Sequence, residues 1–125
     1  MSRQVEHGLQ IGVARLLQLV LDPALTWWSG IDHAAQLSAR YGADRKRRGV
    51  KRGLPDFVVL FGGKLLGIEI KAGKGRATPD QVELCADWRA LGALYEVARS
   101  LDEVQEILRM YGVPMLRKMS FGRTR

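Results

Sequence analysis

The 125-residue chain has a single cysteine, Cys85, and only two histidines, His7 and His33. One thiol permits no intrachain disulfide, so a reducing, cytoplasmic setting is expected. The histidines have no partners at metal-ligand spacing, which leaves them surface or packing roles and argues against zinc. No apolar run approaches membrane-spanning length and the amino terminus lacks a signal-peptide pattern, so no membrane contact is expected. Repeats and low-complexity segments are absent too. What remains is a chain with 46% hydrophobic residues, enough for one cored domain and too short for a second catalytic one. We place that domain at residues 1–112, followed by a basic tail at 113–125.

Acidic residues are the minority: 13 against 20 lysines and arginines, a net charge of +7 and a pI near 10.1. The charge is also sorted. Residues 40–52 hold seven basic side chains against Asp44 alone, residues 109–125 hold five against none, and residues 80–106 carry seven acids and two bases. Such sorting points to a polyanion, and nucleic acid is the obvious one. Arg45, Lys46, Arg47, Arg48, Lys51 and Arg52 are the candidate phosphate contacts, joined by Lys74 and Arg76 further on. Arg123 and Arg125 fit ordinary solvated surface.

Residues 3–21 read as a helix with Val5, Leu9, Gly12, Val13, Leu16 and Val20 on one stripe and Glu6 at its edge; Pro23 ends it. Residues 26–31 suit a strand on which one of the adjacent Trp27 and Trp28 must face the core, leaving the other for a contact surface. Residues 33–41 read as a short helix and 42–53 as a basic loop. Thr78-Pro79-Asp80-Gln81 carries a Thr N-cap, a first-position proline and a capping-box glutamine. The helix they start would bury Val82, Cys85, Trp88 and Leu91, with Cys85 an inert core thiol, and stop at Gly92. Leu94–Ala98 is a further strand, and Ser100 or Asp102 caps a last helix with Leu101, Val104, Ile107 and Leu108 inward. The strand–helix–strand step across residues 64–98 favours a parallel pairing.

The most informative arithmetic lies between. If Phe57–Phe61 and residues 64–71 are antiparallel strands joined by Gly62-Gly63, a dipeptide suited to the positive φ of such turns, opposed residues have numbers summing to 125. Asp56 then faces Glu69. Gly67, Glu69 and Lys71 share one face, and Leu66, Ile68 and Ile70 the other. Two ionised carboxylates at ~5 Å in an effective dielectric near 20 repel by roughly 3 kcal/mol, and a divalent cation is the simplest reason for keeping them. Oxygen ligands suit Mg²⁺ or Mn²⁺. Lys71 beside them suits orienting an attacking water or neutralising charge on a phosphate. A Glu-x-Lys triplet alone would read as a solvated strand face, with Asp56 merely capping a turn; the matching Pro55-Asp56 tips the balance.

At these residues the chain resembles the PD-(D/E)XK nuclease superfamily and, within it, the VRR-NUC family of virus-type replication and repair nucleases. The similarity runs through Gly49-Val50-Lys51-Arg52-Gly53-Leu54-Pro55-Asp56, Glu69-Ile70-Lys71, Gly75-Arg76-Ala77-Thr78-Pro79-Asp80-Gln81, Leu91-Gly92-Ala93 and Val97-Ala98-Arg99-Ser100. Upstream, Ser29-Gly30-Ile31 is a loose counterpart of the family's Asn-Gly segment. The resemblance implies an α/β restriction-endonuclease-like core, a mixed four-stranded sheet flanked by helices, which agrees with the element order above.

It further implies a metal shell of Asp56, Glu69 and the Ile70 carbonyl, completed by Glu6 directly or through water. Helix-dipole preference explains Glu6 as well. Gln81 would act beside Asp56, Glu69 and Lys71, although a capping box accounts for it equally. The expected activity is Mg²⁺- or Mn²⁺-dependent endonucleolytic hydrolysis of DNA, on a flap or four-way junction, by a symmetric homodimer. A non-catalytic nucleic-acid-binding module on a nuclease scaffold is the alternative, and a DNA-independent metal-binding protein a weaker one. The first would not need Asp56, Glu69 and Lys71 together, and the charge sorting counts against the second.

Overall fold

The computed structural model describes residues 2–32 and 39–116. Its elements run α1 (Ser2–Val20), β1 (Thr26–Gly30), α2 (Ala39–Arg47), β2 (Phe57–Phe61), β3 (Lys64–Ile70), α3 (Pro79–Ala90), β4 (Leu94–Ala98) and α4 (Leu101–Met110). The strands form one mixed sheet in the order β1-β2-β3-β4. Gly62 and Gly63 turn the hairpin with φ of 53° and 77°, and the register is the expected one, Phe61 opposite Lys64 through Phe57 opposite Ile68. β1 joins antiparallel. β4 lies parallel to β3, Gly67 beside Tyr95 and Glu69 beside Val97, because a helix rather than a tight turn connects them.

Alternation divides the sheet into two faces. Phe57, Val59, Phe61, Leu66, Ile68, Ile70 and Ala98 point to one, where Val13, Leu17 and Val20 of α1 and Val104, Ile107 and Leu108 of α4 complete the buried core. Gly67, Glu69 and Tyr95 point to the other, under α3. Since helices cover both faces of β3, its residues 66–70 are all buried, so the face carrying Glu69 is not a solvated strand face. Among the described residues no helix is long and apolar enough to cross a membrane.

Several local expectations shift. The buried stripe of α1 takes in Leu17, while Val5 is 56% exposed, because burial begins only near Leu9. Residues 33–38, part of the short helix expected at 33–41, lie outside the described residues. Helix α2 continues through Arg47, so half of the supposed 42–53 loop is helical. Arginine and lysine favour a helix, and the turn that ends it is at Gly49, φ 84°, with the Val50 N–H on the Arg45 carbonyl. In α3, Leu84 is the buried residue; Val82 and Leu91 are exposed and Cys85 is half-buried. Ser100, rather than Asp102, caps α4, accepting the Glu103 N–H, and Leu101 is 41% exposed.

Past α4, Val113 enters the core and Met115 bridges to Leu21. Residues 113–116, assigned to the basic tail, thus pack against the body of the fold, and 117–125 lie outside the described residues.

Candidate active site

Strand β2 cannot extend back past Phe57. In an antiparallel ladder, pairs that exchange both backbone bonds alternate with pairs that exchange none; after Phe57–Ile68, the next bonded position opposes Pro55 and Ile70. Pro55 has no N–H to offer. The chain therefore leaves the ladder here, and the Ile70 N–H donates instead to Asp56 Oδ2 at 2.8 Å. A strand residue's N–H and C=O face the same neighbour, so the Ile70 carbonyl looks towards the Asp56 side, where proline cannot match it. Asp56 is held at its main chain too, its carbonyl accepting the Ile31 N–H at 2.8 Å.

Across from it, Glu69 is 5% exposed. Its Oε2 accepts from Gln81 Nε2 at 2.7 Å and lies 3.3 Å from Lys71 Nζ. Its Oε1 is buried without a hydrogen-bond partner. Burial raises the Glu69 pKa to about 7, with the charge of Asp56 adding to the rise and Lys71 and Gln81 opposing it. A half-satisfied buried carboxylate is costly unless a cation completes it. The donor set is all oxygen, as Mg²⁺ and Mn²⁺ require, so the residues present fit such an ion: Glu69 Oε1, Asp56 and the Ile70 carbonyl would hold it.

Gln81 was open between a capping role and a site role, and its side chain has both contacts. Its Oε1 accepts the Thr78 N–H at 2.9 Å, while Thr78 Oγ1 accepts the Gln81 N–H at 3.2 Å, closing the capping box. Its Nε2 is the group on Glu69. The start of α3 and the buried carboxylate are therefore joined through one amide.

Glu6 is half-buried on α1. Among the described residues no group of three His, Cys, Asp or Glu side chains could hold a metal, so Glu6 is not a direct ligand alongside Asp56 and Glu69, and a contribution through water stays what the resemblance implies. The spacing on α1 showed which face Glu6 is on, not how far that face stands from the sheet.

The basic candidates divide. Lys46, Lys51, Lys74 and Arg76 are exposed, and Arg45 is half-buried. Arg47 and Arg48 are exposed but pair with Asp44 at 3.3 and 3.0 Å, and Arg52 lies 3.9 Å from Asp80. Lys74 and Arg76 ride on the loop between Lys71 and α3, which Arg99 holds through the Gly73 carbonyl at 3.0 Å.

Sequence reasoning missed three residues that shape the site: Gly67, Trp88 and Tyr95. A Cβ on Gly67 would lie 2.7 Å from Pro55 Cγ and 2.8 Å from Trp88 Cζ3, so the absent side chain is what lets Pro55 and Trp88 close over β3. The Trp88 ring meets Tyr95 edge-on at 5.7 Å. A glycine inside an apolar strand was the available signal, since it marks a close approach.

Comparison with protein-family models gives no match, and no curated protein gives a significant one. A solved structure described as a "VRR_NUC domain protein" superposes with a TM-score of 0.68 at 25% identity, over 87% of this chain and 89% of that one. The match supports membership of the VRR-NUC family. With the mixed four-stranded sheet, this neighbour supports a nuclease-type domain on a PD-(D/E)XK-like α/β fold. The aligned span takes in most of both chains, so the match does not rest on the hairpin alone.

Proposed function

We propose that this VRR-NUC domain is a Mg²⁺- or Mn²⁺-dependent endonuclease that hydrolyses phosphodiester bonds in DNA. The observation that carries the reading is Glu69: a carboxylate buried beside a second one, with Oε2 held and Oε1 unmatched. A divalent ion bound there would lower the pKa of a water and polarise the scissile phosphate. Gln81 fixes the Glu69 carboxylate by one oxygen, leaving the other as a ligand. The Ile70 N–H orients Asp56 through Oδ2. Lys71, 12% exposed at its side chain and 3.3 Å from Glu69, is placed to neutralise charge on the phosphate or to hold the attacking water. A purely nucleic-acid-binding module would use the basic surface equally well but has no use for a buried carboxylate held at raised pKa.

The preferred substrate is a flap or four-way junction, and the active form a homodimer. Both follow from the resemblance, with symmetric closure the general habit of oligomers. Cleavage of single-stranded, duplex, flap and four-way DNA with Mg²⁺ or Mn²⁺, beside sedimentation of the free protein, tests them together. Asp56→Ala and Glu69→Ala are expected to abolish cleavage while the circular dichroism spectrum is retained. Lys71→Ala should lose nearly as much activity yet still bind Mn²⁺ by calorimetry. Undiminished cleavage by Asp56→Ala would sink the assignment.

A further inference from the structure

Asp56 reaches Glu69 from a short strap, residues 53–56, that belongs to no strand. The strap is seated with little clearance. Gly53 has φ 83°, and a Cβ there would lie 2.4 Å from the Asp80 carbonyl oxygen and 3.0 Å from the Gln81 nitrogen. Its backbone therefore rests on the first turn of α3, the turn whose glutamine holds Glu69. Pro55, among the fully buried side chains, has a fixed φ and passes the position of Gly53 on to Asp56 with little slack.

The Gly53 carbonyl accepts the Tyr95 hydroxyl at 3.0 Å, a contact spanning 42 residues of sequence. Tyr95 is 2% exposed, sits beside Gly67 in the register of β3 and β4, and has its ring steadied by Trp88. Burial, followed by the charge of Glu69, raises its pKa, so at neutral pH it is a protonated donor.

We propose that Tyr95 is a positioning residue for the two carboxylates: by holding the Gly53 carbonyl, its hydroxyl sets where the strap delivers Asp56 relative to Glu69. This rests on the nuclease reading for its functional consequence, but the placement of the strap can be read without turnover. Trp88, Tyr95, Gly53 and Pro55 form a clamp over Gly67 that ties β4 and α3 to the segment carrying Asp56. The side chain touches neither metal nor substrate.

The test compares Tyr95→Phe with Tyr111→Phe. Both delete one buried or half-buried hydroxyl, but the Tyr111 hydroxyl donates to Glu96, on the face of β4 away from the strap. The Tyr95→Phe variant keeps its ring packing and should remain folded. Its calorimetric Mn²⁺ affinity is expected to fall roughly fivefold, the weight of one neutral hydrogen bond. Hydrogen exchange at the Leu54, Asp56 and Phe57 amides should quicken, and kcat should fall at saturating Mn²⁺ with KM for DNA unchanged. Tyr111→Phe should move none of these, whatever it does to the melting temperature. Wild-type exchange at the strap in Tyr95→Phe, or an equal change in Tyr111→Phe, overturns the proposal. A wild-type protein that shows no cleavage while Tyr95→Phe still loosens the strap would count against the nuclease reading alone.

Discussion

At the scale of a single residue the proposed chemistry centres on Glu69, and its titration has consequences for stability. Unfolded, it loses its proton near the ordinary 4.5; folded, near 7. The folded state thus binds this proton more tightly. Its contribution to stability is full below about pH 4.5 and is lost as pH rises through 7. Metal-free protein in chelator should therefore melt at lower temperature at pH 8 than at pH 5.5. Glu69→Gln, which cannot ionise, should flatten that difference and melt higher than wild type at pH 8 while cleaving nothing. An equal pH dependence of melting in the two proteins would show that Glu69 is not the group responsible. Cleavage by the wild type should rise across the same interval, because metal and proton compete for the carboxylate. Gln81 offers a second reading of the same oxygen. Glutamate at this position can still accept the Thr78 N–H, so the cap survives, but it replaces the amide donor to Glu69 with a like charge. Gln81→Glu should cut turnover by roughly ten- to hundredfold, on the scale of losing a hydrogen bond to a charged group, and move the pH midpoint of cleavage upward. Equal turnover at every pH would leave Gln81 a cap and nothing more.

Elements position these residues, and the hairpin does so by counting. Two glycines at the turn fix the register, the register fixes where Pro55 meets Ile70, and proline's missing N–H ends the strand at the point where a carboxylate is needed. Gly67 lies inside the same hairpin. Gly67→Ala puts a methyl group 2.7 Å from a rigid, buried proline ring, and overpacking of this kind costs about 1–3 kcal/mol. Because the displaced ring adjoins Asp56, Mn²⁺ affinity should fall along with the melting temperature. Gly62→Ala meets open space and strains only a positive φ. It should lower stability while leaving Mn²⁺ affinity at the wild-type level, and matched losses of affinity in both variants would refute the link. The hairpin was legible in the sequence because a two-residue turn leaves no freedom of register. The buried face of α3 was less so: with Ala86 and Ala90 beside Val82, Leu84, Cys85, Trp88 and Leu91, apolar residues lie around most of it, so periodicity marks the face weakly, and the choice is made by Trp88 descending onto Gly67. The site was legible wherever its residues came from adjacent strands or one helix cap. Tyr95 was hidden because its partner lies 42 residues away, and for Glu6 the spacing showed the helix face but not its distance from the sheet.

For the whole molecule, the proposed function raises the question of how a small positively charged body would meet DNA. The densest basic run falls at the last turn of α2, where Arg45, Lys46 and Arg47 would be favoured by the helix dipole without any DNA, and where Asp44 engages Arg47 and Arg48. Salt dependence separates the two origins. With Ca²⁺ in place of Mg²⁺ to hold off cleavage, each phosphate contact should contribute a slope of roughly −0.9 in log K against log salt on duplex DNA. Replacing Arg45, Lys46, Arg47 and Arg48 with alanine should flatten that slope and weaken binding to all sequences alike, since phosphate contacts position without reading bases. Mn²⁺ affinity should be unchanged because the strap and hairpin are untouched. Asp44→Asn makes the opposite change, releasing two arginines from exposed pairs that add little to stability, and should tighten DNA binding at low salt. A slope unaltered in the quadruple variant would mean that the run is solvated surface. The exposed Lys74 and Arg76, carried on the loop that leaves Lys71, would then be the contacts to replace next.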